Sequence, residues 1–86
     1  MANVEEVKAH VAASVDQTER AMTALRGVAD QLDEALARLR LTAVGSVHPT
    51  VVEAISRLEQ AKHRLDEAHT LARGAMDSAH RYRSIV

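Results

Sequence analysis

The first half of the chain carries an apolar column whose members stand seven positions apart without exception: Val4, Val11, Thr18, Leu25, Leu32 and Leu39. Seven residues are close to two turns of α-helix, so a column held at that spacing stays on one helical face and has no counterpart in a strand. Two further columns adjoin it, one of Val7, Ala21, Val28 and Ala35, the other of Val15, Met22, Ala29 and Leu36. Three neighbouring columns make a stripe broader than a two-stranded seam, the width expected of a helix inside a bundle. The second half repeats the pattern with Val51, Leu58, Leu65, Ala72, Ala79 and Val86, joined by Ile55, Ala61, Ala68, Leu71, Ala75, Met76 and Tyr82. The fold class predicted is therefore all-α, built from two long amphipathic helices.

Their ends carry recognisable signals. Asn3 with Glu6 three residues on, and Thr50 with Glu53, both have the spacing of an N-terminal capping box. Between the helices lies "AVGSVHPT", where Gly45 suits the left-handed position that stops a helix and Pro49 is tolerated only at the entrance of the next. The spacing predicts helix 1 over about 4–43, a turn over about 44–49 and helix 2 over about 50–84, one antiparallel hairpin domain across 1–86. At ~1.5 Å per residue the helices are roughly 60 and 50 Å long. Such a hairpin is slender, and a short chain buries a modest share of its surface alone. Association into a four-helix bundle or coiled-coil-like oligomer is the expected remedy.

Composition narrows the partners. Hydrophobic residues make up 47% of the chain, yet Tyr82 is its single aromatic, which suits close helix packing and not an aromatic-lined pocket. Tyr82 itself falls on an inward or boundary column and reads as a packing residue. A formal net charge of -1 gives no field to gather nucleic acid or an anionic membrane. With no cysteine there is neither a disulfide nor a thiolate metal site. The opening "MANVEEVKAHVAA" is acidic where a secretory signal needs a basic end, and no apolar run is long enough to span a bilayer. The expectation is a cytoplasmic protein without signal peptide, membrane span or cofactor. Nine Arg against two Lys point to a GC-rich genome.

Two segments invite a chemical reading. "LDEAHTLARGAMDSAH" contains Asp-x-Ala-His twice, as Asp66 to His69 and Asp77 to His80, the i,i+3 geometry from which bundle metal sites are built. Eleven residues of helix separate the two His by ~16 Å, too far for a shared ion, and while His69 flanks the core, His80 and both Asp fall on the solvated face. No metal site is expected. His10 and His63 stand four residues from Glu6, Glu59 or Glu67 with no nucleophile beside them, so no catalytic constellation is present and the chain is not read as an enzyme. His48, with Gly45 and Pro49, marks the turn, a common place for recognition residues. Gly27 and Gly74 lie inside the helices, either as tolerated weak spots or as points where another helix crosses closely.

The segments "VEEVKA", "HPTVVEAISRLEQAKHRLDEA" and "AHRYR" resemble short helical-hairpin proteins of GC-rich Gram-positive bacteria. More distantly the chain is similar to the WXG (early-secreted-antigen-like) family of type VII secretion and to helical leader domains of polymorphic toxins. Of that family's Trp-x-Gly turn only the glycine carries over, since the chain has Ala43, Val44 and Gly45. The family's tail signal sets an acidic residue four after a tyrosine, and here Tyr82 is followed at that distance by Val86. The resemblance implies a paired-hairpin adaptor that accompanies a larger effector, with type VII-like export.

The leading expectation is a non-enzymatic interaction module that forms a dimer with a second copy or a related hairpin, or that partners a larger protein. Its interface is expected at Val11, Leu25, Leu32, Leu36, Leu39, Ile55, Leu58, Leu65, Leu71 and Met76, with Gly45, His48 and Pro49 at the turn. A Rop-like dimeric RNA-binding regulator is the alternative and would need a basic face near Arg20, Arg26, Arg57 and Arg64. A metal-binding bundle is third.

Overall fold

The computed structural model describes residues 3–45 and 48–85, so Ser46 in the turn and Val86 at the end of the second apolar column lie outside it. The described residues form two helices, α1 (Val4–Val44) and α2 (Pro49–Ile85), packed against each other within a 63 × 20 × 15 Å outline. Arg40 pairs with Glu59 and Asp33 with Lys62, so partners on α2 rise in number as those on α1 fall. The chain is an antiparallel helical hairpin.

The contact between the helices is a seam with coiled-coil spacing. On α1 the buried and half-buried series Val11, Val15, Thr18, Met22, Leu25, Ala29, Leu32, Leu36, Leu39 advances by fours and threes in turn. On α2 the same steps link Val51, Ile55, Leu58, Lys62, Leu65, His69, Ala72, Met76 and Ala79. The deepest side chains are Val15, Met22 and Leu36, the last only 1% exposed, and all three belong to the column that adjoins the first apolar column of α1. The third column is only partly covered: Ala21 and Val28 are exposed, while Val7 and Ala35 are half-buried. With one neighbour, a helix can cover two columns and leaves the rest to solvent. Among the described residues of α2 none is fully buried: Lys62 and His69 stand in the seam, and its far half sets the small Ala72 and Ala79 on either side of Met76.

Both helix ends that the sequence marks can be examined. Asn3 caps α1 as its spacing predicts, its side-chain oxygen accepting from the Glu6 backbone N–H at 2.8 Å. Thr50 does not cap α2. Pro49 is already helical, and the capping group is the His48 imidazole, whose Nδ1 accepts from the Thr50 N–H at 3.2 Å while its carbonyl receives the Val51 and Val52 N–H groups. Proline has no N–H to be orphaned, so it takes the first helical position and moves the cap one residue upstream of itself. The left-handed geometry expected of Gly45 is also absent. Its φ of -94° and ψ of -7° are ordinary right-handed values, and its N–H reaches the Thr42 carbonyl at 3.4 Å, which tightens the last turn of α1.

Gly27 and Gly74 have nothing within 4 Å of the position a Cβ would take, so no close approach inside the hairpin requires either. Gly27→Ala and Gly74→Ala should each raise unfolding free energy by about 0.5 to 1 kcal/mol, the helix-propensity difference, in urea titrations followed by circular dichroism. Loss of stability at either would mean that something crosses there. His48→Ala should cost roughly 0.5 to 1 kcal/mol in the same assay, and His48→Asp should restore it.

Candidate interaction surface

A two-helix seam has two sides, and in this hairpin they differ in kind. One step outward from the α1 seam on one side stand Glu5, Ala12, Glu19, Arg26, Asp33 and Arg40, and on α2 the matching column is Val52, Glu59, Asp66, Arg73 and His80. These two columns meet. Arg40 Nη2 reaches Glu59 Oε1 at 3.1 Å, Asp33 pairs with Lys62 from the seam, and Glu19 and Arg73 line one groove. Exposed pairs of this sort are worth about 0 to 1 kcal/mol each. Their opposite signs matter more, because they suit this register and keep this side wet.

The other side carries no charge along its length. Its α1 column is Val7, Ser14, Ala21, Val28, Ala35 and Thr42, and its α2 column is Ala54, Ala61, Ala68, Ala75 and Tyr82. Two antiparallel helices in a common seam put like flanks together, so ion pairs between the charged columns on one side leave the uncharged columns together on the other. At mid-length Ala21, Ala68 and Ala75 are exposed and Val28 is 43% exposed, while Val7, Ala35, Ala54 and Ala61 nearer the ends are half-buried. Leu71, one step further out between Ala68 and Ala75, is 75% exposed, and Ala24 occupies the corresponding place on α1. Of the ten residues assigned to an interface from sequence, all but Leu71 lie buried or half-buried in the hairpin's own seam. Leu71 alone is free to meet something else. Tyr82 is half-buried at the far end of the same uncharged side.

The histidines divide according to column. His10, His48, His63 and His80 are exposed, and His63 lies 3.2 Å from Glu67 on its own helix. His69 is a seam residue in the column of Ile55, Lys62 and Met76, next to a small cavity of about 50 Å³ bounded by Leu25 and Ala29 of α1 and Leu65 of α2. Its Nε2 is buried without a hydrogen-bond partner among the described residues. Asp66 and Asp77 are both exposed, and no three metal-ligating side chains converge among the described residues. His69 lies against the core as its column predicts, and sequence spacing could have identified Lys62 as well, since both stand at seven-residue steps from Ile55; the polarity of Lys62 hid it. The basic residues do not assemble into a face. Arg20 is held by Asp16 at 2.9 Å, Arg57 by Glu53 at 2.6 Å and Arg64 by Glu67 at 3.3 Å, each on its own helix, while Arg26 stands in the charged flank beside Asp66. No described helix is long and apolar enough to cross a membrane.

No protein family model, no curated protein and no solved structure matches the chain.

The unpartnered nitrogen of His69 weakens the seam that holds the hairpin together. His69→Leu should stabilise the fold by about 1 to 3 kcal/mol, the usual cost of an unsatisfied buried polar atom. A lower thermal midpoint for that variant would show that the imidazole has a partner when the protein works.

Proposed function

We propose that this chain is a non-enzymatic helical interaction module that docks a partner helix or hairpin on its uncharged side. The observation that carries the reading is the contrast between flanks: cross-helix ion pairs on one side, and on the other a column pair without a single charge, with Val28 exposed in it and Leu71 exposed just outside it. Burying such side chains stabilises a complex by about 1.5 to 3 kcal/mol for each large one, while the alanines let a partner backbone come close. In this reading the module binds rather than catalyses. Its resemblance to WXG-type hairpins and toxin leader domains supports the narrower proposal of an adaptor or chaperone-like partner for a larger effector, exported with it by a type VII-like route. An RNA-binding role has less support, because Arg20, Arg57 and Arg64 are engaged by carboxylates of their own helices.

The test is affinity capture from the native host with the wild-type chain and with a double variant, Ala68→Glu and Leu71→Glu, that charges the uncharged side and leaves the seam untouched. The captured proteins should drop at least about tenfold with the variant while its helicity is unchanged. Equal capture by both chains would sink the reading.

A further inference from the structure

We infer that the uncharged side is covered by a second copy of this chain, stacked face to face and running in the opposite direction, so that the turn of each hairpin lies beside the free helix ends of the other. The inference rests on the interaction reading above and names its occupant.

Two quantities favour a copy of the chain. The first is area. The uncharged side is a broad face of the 63 × 20 × 15 Å hairpin, and stacking over it buries roughly 1,000 Å² from each copy, or about 2,000 Å² in all, whereas stable interfaces run from about 1,200 to 2,000 Å². A single partner helix would cover only part of that width. The second is position. The register marked by Arg40–Glu59 and Asp33–Lys62 puts Ala21 level with Ala75 and Val28 level with Ala68, so the exposed apolar group lies at mid-length, with Ala24 at the centre of α1. A two-fold axis through that level brings the patch onto itself, as a symmetric dimer requires.

Charge at the rim selects the direction. Arg38, Arg57 and Arg64 border the uncharged side in its turn half, Arg57 and Arg64 each with a carboxylate of its own helix, Glu53 and Glu67, that softens but does not remove the crowding of guanidinium groups, while His10, Gln17 and Ser78 border it in the other half. If the two turns lay together, α1 would stack on α2 of the second copy and Arg38 would face an arginine. Reversed, each helix stacks on its own copy, Arg38 comes level with His10 and Arg64 with Ser78, and the arginines are kept apart. Leu71 then lies close to the axis and meets Leu71 of the second copy.

The purified full chain should sediment as a dimer at about 50 µM, above the micromolar upper end of the dissociation constants that interfaces of this size span. Ala68→Glu, and independently Ala24→Glu, should convert it to a helical monomer with a dissociation constant raised at least about 100-fold. Val52→Glu, on the charged side, should leave it dimeric. Because the chain has no cysteine, oxidation of a Leu71→Cys variant gives a clean reading of direction: the reversed dimer links Leu71→Cys to itself. A folded wild-type monomer, or a dimer indifferent to Ala68→Glu and Ala24→Glu, would overturn the inference. So would cross-linking that appears only in a mixture of Ala24→Cys and Leu71→Cys chains, the product of turn-beside-turn stacking. A monomer whose captured partners still depend on Ala68 and Leu71 would leave the interaction module standing with a different occupant.

Discussion

One helix-to-helix seam carries the whole tertiary structure of this protein. Among the described residues there is no third element for either helix to lean on, so a residue in the seam is covered from one direction only, and even there most side chains remain half-buried while Leu36 approaches full burial. Every other feature follows from that constraint. The helices must be long, since each turn contributes little. The ends need caps, supplied by Asn3 and His48. The polar interruptions at Lys62 and His69 weigh more than they would in a thick core, because few other contacts offset them.

The same constraint explains why the two sides of the seam bear so much of the protein's character. In a larger bundle both flanks of a seam are interior. Here both meet water, and they have taken different solutions: complementary charge on one, small uncharged side chains on the other. Charged flanks solvate the hairpin and suit its register without much energy, as isolated exposed pairs do. The uncharged flank favours helix through its alanines, but the exposed side chains of Val28 and Leu71 add little to a lone hairpin. Their value is realised when a second apolar surface lies on them, and the functional reading and the dimer inferred from it both depend on that asymmetry.

Much of this was legible in residue spacing. The seven-residue columns dictate helices, the short "AVGSVHPT" connection dictates a hairpin, and Asn3 with Glu6 marks a cap. Misreadings came where two local rules compete. Thr50 and Glu53 have the pattern of a capping box, but Pro49 prefers the first helical position more strongly, and the role passed to His48. Gly45 is the residue a left-handed helix stop would use, yet the last turn of α1 tightens instead and keeps φ negative. Leu71 joined the seam when apolar letters alone were counted, and Lys62 was left out of it for being polar.

What the sequence determined by itself is periodicity: which residues share a helical face, where the helices can begin and how far they run. Those are local consequences of 3.6 residues per turn and of backbone hydrogen bonding. Only the tertiary structure decided which two of three apolar columns face inward. That choice needs both helices at once, since the seam is selected by the pair of stripes that fit together and by the charges of Arg40, Glu59, Asp33 and Lys62 that can meet beside it. With it came the exposure of Val28, Ala68 and Leu71, a surface that neither helix specifies alone.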